Sequence, residues 1–513
     1  MSKISQRISM DSLLYSSVWY YWTTCLCLAI AFFALLNLYS RKRAHSNLPP
    51  GPFSWPLVGS LPSLGRSRHR SLHRLAKKYG PIMYMELGSR PHVIISSPAM
   101  AREVLKDHDV EFASRPQFHT FFKNVSHDYN DLVFAPHGER WKMLRRVSGT
   151  EIFAAGRVNH FSGIRKRELA AFASIIEKSA AAGEAFDLTA LLHELFTNLM
   201  TSVLFGQKFY NSDTPVTREA EAYRAVWDTI IAESERLYIG DFIPALRWVD
   251  KVKRSEHRLK NQIIPAVENF LNAIVKQHKE SFVAENPPRD FVDVMLSLGG
   301  ENKLDDMAII ALLQNLLLAG TNTSKGTVEW AMSEMIRCPG VQKKAHEELD
   351  RIVGRNRCLE ETDLKDLPYI QAIVKEVLRL HPLATTGLPH SNPATSQLAG
   401  YTIPANTTLL VNIWGIHHDP ANWSDPESFC PERFLGSDHS VLGNHFDLIP
   451  FGSGRRRCVG IPLAIPHVSL TLAYLLHRFE WRMPDGQEID MEEKTGLATM
   501  PAKHRIVCAT VRK

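Results

Sequence analysis

Cysteine is scarce: the 513 residues hold seven, at positions 25, 27, 338, 358, 430, 458 and 508. None forms a C-x-x-C pair, so neither a disulfide framework nor a cysteine-rich zinc site is written in the spacing, and a reducing compartment fits best. An excess of one charge is also lacking. Sixty Lys plus Arg against 54 Asp plus Glu leave a net charge of +6, modest for this length, and nucleic-acid binding is not indicated. The chain shows no internal repeat and no low-complexity linker, so one large domain is the economical reading despite the length. It has no convincing G-x-G-x-x-G nucleotide fold either, and any nicotinamide cofactor must act from outside.

One long uncharged run is present, from Val18 to Tyr39, long enough to cross a bilayer as a helix. Trp19, Tyr20, Tyr21 and Trp22 would mark one membrane interface and Tyr39 the other. Arg41, Lys42 and Arg43 follow, against Lys3 and Arg7, partly offset by Asp11, on the far side; this bias favours a cytosolic C-terminal domain. A cleaved signal peptide is the competing reading, but the apolar core is too long and lacks an A-x-A exit. Leu48-Pro49-Pro50-Gly51-Pro52 cannot continue a helix and favours an extended segment. Residues 1–47 thus read as an anchor with a basic flank, 48–55 as a proline-rich hinge, and 56–513 as the main folded domain.

Within that domain Ser71 to Tyr79 reads as a short helix, followed by β-like runs at Ile82 to Leu87 and His92 to Ile95. Beyond Trp141, apolar residues recur at helical spacing through Glu151 to Phe205, Arg218 to Leu237, Val252 to His278 and Met307 to Ile336. The expected class is mainly α with small β-sheets (α+β), preceded by the transmembrane helix. Met307 to Gly320 is almost wholly apolar, but with fourteen residues and Gln314 and Asn315 inside it, it reads as a buried core helix.

The most informative stretch is Phe451-Gly452-Ser453-Gly454-Arg455-Arg456-Arg457-Cys458-Val459-Gly460. A single cysteine in a tight, cationic, glycine-rich loop suits a thiolate held against a metal, with N–H groups and positive charge near sulfur. Gly454 and Gly460 are expected to leave room for a bulky group. The bland alternative is an arginine-rich surface turn.

The pattern F-x-x-G-x-R-x-C-x-G, filled by Phe451, Gly454, Arg456, Cys458 and Gly460, resembles the haem-binding loop of cytochromes P-450. The resemblance implies haem b (iron protoporphyrin IX), with Cys458 as its axial iron ligand and Arg456 paired with a propionate. It extends, in the family's order, over nearly all of the chain beyond Pro49, and it implies the cytochrome P-450 fold. Ala319-Gly320-Thr321-Asn322-Thr323-Ser324 resembles the oxygen-side helix segment, where Gly320 would leave space for the ligand and Thr323 would offer a hydroxyl. Asn322 stands where the family usually has an acid, so proton delivery must lean on Thr323, Ser324, water or the substrate. Glu376 and Arg379 match E-x-x-R, and Pro431-Glu432-Arg433-Phe434 matches P-E-R-F; by resemblance Glu376, Arg379 and Arg433 are structural, bracing the cysteine loop. Trp141 and Arg145, four apart on one helical face, match W-x-x-x-R, whose side chains hydrogen-bond haem propionates. His390 falls where relatives place another propionate partner.

The implied activity is that of a membrane-bound haem-thiolate monooxygenase. It would insert one atom of O2 into a small lipophilic substrate, phenylpropanoid- or flavonoid-like by preference, with terpenoids or fatty acids as other candidates. The implied partners are an NADPH-cytochrome P-450 reductase, cytochrome b5 and a lipid membrane, with the endoplasmic reticulum as the address in single-pass topology. Lys142, Arg146, Arg455 and Arg457 are candidates for a basic surface facing the reductase, or simply solvated charge. Specificity would live in the aromatic loop Phe112 to Val133, the wall Leu312 to Gly320, and the loops Leu383 to Leu388 and Leu497 to Met500. Two other functions stay open on sequence alone: an O2-independent haem-thiolate isomerase or dehydratase, which Asn322 favours, and a non-catalytic haem-binding protein.

Overall fold

The computed structural model describes residues 21–32, 47–210, 218–234, 236 and 238–512. Of the expected anchor it describes Tyr21–Phe32, an apolar helix with every residue exposed. Tyr21 and Trp22 of the expected aromatic interface begin that helix and are exposed, whereas Trp19, Tyr20, Tyr39 and the flanking basic residues lie outside the described residues.

Five helices position the site: α1 (Glu139–Val147), α2 (Leu188–Phe205), α3 (Asp306–Arg337), α4 (Pro368–Leu380) and α5 (Ile461–Arg478). Helix α3 runs through the middle and packs against α2, α4 and α5. Asp305 caps its start by accepting from the Ala308 N–H at 2.7 Å, as a short carboxylate at an N-cap does. Its first third, including Ile309, Leu312, Leu313 and Leu316, belongs to one hydrophobic core with Val203, Phe291 and Leu463. Its last third, including Val328, Trp330 and Met335, belongs to a second core with Phe196, Ile373 and Leu472. Each fully buried aliphatic side chain contributes about 1.5–3 kcal/mol, so both ends of the helix are held firmly. Between the cores, Ala319 and Thr323 are exposed, one turn apart on one face, and the helix remains continuous through them.

Gln314 and Asn315, odd residues for an apolar helix, are tethers. Gln314 donates to the Val125 carbonyl at 2.6 Å, while Asn315 donates to Asp131 at 2.8 Å and accepts from the Leu132 N–H at 3.1 Å. They fasten the aromatic loop to α3. That loop is largely packed: Phe121 and Tyr129 are buried, and Phe122 stacks on Phe134 with centroids 4.2 Å apart.

The largest sheet is built from β1 (Ile82–Leu87), β2 (Arg90–Ile95), β3 (His390–Ser391) and β4 (Thr408–Val411), in the order β1-β2-β4-β3. β1 and β2 form a hairpin that pairs Met83 with Ile94, β2 runs parallel to β4, and β3 is antiparallel to β4. The proline-rich segment is extended, as its residues require, and lies on this sheet: Tyr84 N–H donates to the Pro50 carbonyl at 2.9 Å. Pro49 and Pro52 are buried there.

Candidate active site

Cys458 sits immediately before α5 in a loop closed by its own N–H, which donates to the Phe451 carbonyl at 3.0 Å. Burial pushes the thiol up, opposed by the N–H groups of Gly460 and Ile461 at the helix start and by the charges of Arg145 and Arg457. A helix N-terminus and two guanidiniums are the surroundings that favour a thiolate. The Cys458 side chain is nevertheless open on one side. Protein therefore surrounds the sulfur without covering it.

The two loop glycines divide their roles differently from expectation. Gly454 has φ +66°, and a Cβ there would stand 1.8 Å from the Leu105 carbonyl oxygen, so glycine is required by the protein's own backbone rather than by a guest. At Gly460 a Cβ would meet only Cys458 Sγ, at 3.8 Å. Gly320 is corrected in the same way: a Cβ there would stand 2.5 Å from Met200 Cε, so the space beside it belongs to a methionine of α2 and is not left for a ligand.

Three guanidiniums lie near one another beside the cysteine loop. Arg456 donates to the carbonyls of Ala113 at 2.7 Å and Ala135 at 2.5 Å, and stacks over Trp141 with its carbon 4.2 Å from the ring centroid. Its Nη1 is buried without a partner. Burial, then Arg115 and Arg145, push it down to about 8 against the pull of Asp131. A guanidinium gives up its proton with great reluctance, so such a site is relieved by an anion. Arg115 is buried and donates to the carbonyls of Val133, Leu388 and Pro389; burial pushes it down to about 10, with Asp131 opposing. Arg145 is held below its ordinary value by burial, and its guanidinium has no hydrogen bond or ion pair among the described residues. The cluster is short of carboxylates, and a guest bearing two of them answers that need.

Trp141 and His390 serve this cluster in other ways than expected. The single N–H of Trp141 donates to the Leu132 carbonyl at 3.1 Å, because the loop folds back over α1; the ring supports Arg456 and has no donor left for a propionate. His390 Nδ1 donates to the Phe112 carbonyl at 3.0 Å. Burial, Arg115 and Arg456 push it down to about 3.

Behind the loop, Glu376 and Arg379 are both 0% exposed and form a bidentate pair at 2.7 and 2.8 Å. Arg379 also donates to the carbonyls of His417, Pro426 and Ser428. Arg433 reaches Glu376 at 3.1 Å, and so does the Cys430 N–H at 2.9 Å. His417 connects this network to the cysteine loop: its Nδ1 donates to the Arg379 carbonyl at 3.1 Å, and its Nε2 accepts from the Ile449 N–H at 3.0 Å. Burial next to Arg379 pushes it down to about 3, which keeps one ring nitrogen an acceptor. Sequence reasoning missed both Arg115 and His417. The only signals were an arginine directly before Pro116 and a histidine ending the apolar run Ile413 to Ile416.

On α3, Thr323 Oγ1 donates to the Ala319 carbonyl at 2.5 Å, which leaves its lone pairs free to accept. Asn322 faces a different way, into a small cavity lined by His193, Arg224, Trp227, Ile231, Leu317 and Thr321. Gly326 is filled by Met500, 2.6 Å from a hypothetical Cβ, and the Thr499 N–H donates to the Leu383 carbonyl at 2.8 Å. Two of the expected specificity segments therefore meet beside α3.

An open, N–H-solvated cysteine facing a cluster of carboxylate-hungry arginines defines a haem-thiolate protein. The cytochrome P-450 family model matches residues 49–509, and the chain belongs to that family. It is 37% identical over 502 residues to a flavonoid 3'-monooxygenase of Arabidopsis thaliana, covering 94% of this chain and 95% of the relative. A flavonoid 3'-monooxygenase of Petunia hybrida is 37% identical, with 92% and 94% covered, and a flavonoid 3',5'-hydroxylase of Campanula medium is 35% identical, with 94% and 95% covered. Among solved structures, a zebra fish cytochrome P-450 with progesterone superposes with a TM-score of 0.75 at 26% identity, over 86% of this chain and 99% of that one. The protein is a monooxygenase that incorporates oxygen from O2, uses haem b and takes electrons from a separate reductase.

Proposed function

We propose that this enzyme hydroxylates a flavonoid-like phenolic ring, with NADPH as the electron source of its reductase. The observation that carries the substrate class is the run of flavonoid hydroxylases at 35–37% identity along nearly the whole chain. Haem, when bound, supplies the activation of O2. The chain's own residues hold and orient it: Cys458 ligates iron, while Arg456, Arg145 and Arg115 receive the propionates. Thr323 offers a hydroxyl on the opposite side, and the walls at Leu383 to Leu388 and Leu497 to Met500 exclude water and orient the ring. Asn322 cannot relay a proton as an acid would, so Thr323 and ordered water carry that task.

The catalytic domain, residues 56–513, rests on a membrane in this reading, with residues 1–47 as its single-pass anchor in the endoplasmic reticulum and cytochrome b5 as an accessory partner. Support comes from Phe53, Trp55, Leu57, Leu246, Trp248 and Val252, all exposed. The hairpin turn brings their two segments together: Gly88 N–H donates to the Val58 carbonyl and Ser89 N–H to the Phe242 carbonyl. An apolar rim of this kind suits a lipid surface.

The test is a titration of the haem-loaded enzyme with flavanones, flavones, terpenoids and fatty acids, followed by product analysis with reductase, NADPH and O2. A spin-state shift with flavonoids and a product heavier by one oxygen are expected; a shift only with terpenoids or fatty acids overturns the substrate class. Restoring an acid with Asn322→Asp should raise product formed per NADPH consumed by a few-fold, and unchanged coupling removes the role given to this position.

A further inference from the structure

We propose that His439, His445 and Asp447 form a zinc site on the strap that leads into the cysteine loop. One ligand atom from each lies within 4.8 Å of the others, and all three residues are half-buried. Two imidazoles, a carboxylate and a water make up a donor set that zinc accepts. With zinc bonds of about 2.0–2.1 Å, tetrahedral ligands stand roughly 3.4 Å apart. A small inward swing of one side chain closes the site.

The surroundings are those of a built site. His439 Nδ1 is 2.7 Å from the Ser437 hydroxyl, the kind of outer contact that fixes the tautomer of a metal-binding histidine. Its Nε2 faces an Asp447 oxygen at 2.8 Å across one proton; zinc would take that place, with the ring proton held on Nδ1 toward Ser437. Trp423 and Phe434 pack on the His439 ring, with centroids at 5.3 and 6.1 Å, and hold it in place. His445 lies 5.1 Å from the His439 ring, and its imidazole makes no hydrogen bond among the described residues. It is therefore free to swing in.

The strap carrying the site grips the cysteine loop. Ser453 donates to the Gly443 carbonyl and Arg457 to the Leu442 carbonyl, each at 2.6 Å. Gly443, at φ +79°, would place a Cβ 2.7 Å from the Gly452 carbonyl oxygen, so strap and loop are in direct contact. Zinc at the three side chains would stiffen the proximal wall from outside.

The experiment is calorimetric titration of chelator-treated, haem-loaded, full-length enzyme with zinc sulfate. One saturable site per chain is expected, with binding weakened at least tenfold in His445→Ala and in Asp447→Asn and less in Ser437→Ala, while the haem absorbance of each variant stays that of the wild type. Absence of saturable binding overturns the proposal, and so does equal binding in the variants, which places the ion elsewhere. If the variants lose haem, the wild type decides: zinc must slow modification of His445 by diethyl pyrocarbonate severalfold, and an unchanged rate with zinc present rejects the site.

Discussion

Arg379 is fully buried and Arg456 is half-buried with one nitrogen shut away from water, and they teach opposite lessons. Arg379 meets a carboxylate through two nitrogens and spends its remaining donors on three backbone carbonyls. Arg456 has two carbonyls, an aromatic face, two neighbouring cations and one nitrogen with nothing to donate to. A saturated buried arginine is part of the fold, whereas an unsaturated one is half of an interaction with something that arrives later.

The comparison breaks first at Arg379. Arg379→Met leaves Glu376 charged and buried, a loss of about 3–5 kcal/mol, and the expected result is no soluble haem protein; a variant of normal yield would mean the pair is dispensable. His417→Leu orphans the Ile449 N–H and removes a donor from the Arg379 carbonyl, at about 1–3 kcal/mol for the lost donor–acceptor matches. Its urea midpoint should fall with haem bound, and haem should be lost faster. Arg456→Met should behave with opposite signs in the two states. Without haem its unfolding midpoint should hold or rise, since an unpaired buried cation is gone; with haem, dissociation should quicken roughly ten- to a hundredfold, the equivalent of a charged hydrogen bond of about 1.5–3 kcal/mol. Equal destabilisation in both states would return Arg456 to the structural class.

The smallest effect belongs to Glu432, beside the Arg433 arm of the network. Burial pushes its carboxyl up, but Lys344, Tyr369 and Cys430 outweigh this and hold it down at about 2. Its contribution is therefore present above the ordinary carboxylate value and lost as pH falls from about 4.5 toward 2. The Lys344 pair is solvent-screened, so the amount is below about 1 kcal/mol. Urea midpoints of wild type and Glu432→Gln at pH 6 and pH 3 should differ at the higher pH and converge at the lower.

Local order is what the sequence made legible. The helix carrying Glu376 and Arg379, the hairpin at Ile82 to Ile95 and the cysteine loop are each specified by neighbours within about ten residues, through periodicity, turn residues and a dense motif. Contacts made at long range were not legible. Arg115 meets Leu388 and Pro389 across more than 270 positions, and His417 joins Arg379 to Ile449. The Trp141 error has a related cause: its position in the motif was visible, but the loop that places the Leu132 carbonyl over its N–H is a tertiary event. At Gly320 the room expected for a ligand is taken by Met200 of α2, again a tertiary contact that local sequence does not show.

Gly320 and Gly326 lie almost two turns apart on α3, each with a methionine thioether from another element in the space a methyl would fill, Met200 at one and Met500 at the other. Thioether chains rotate easily about three bonds and adapt to irregular gaps. The helix is clamped at both ends, so at these two points the thioether chains can adjust by torsion while the helix backbone stays fixed. Exchanging either methionine would therefore reshape the surface of α3 locally without asking its backbone to move.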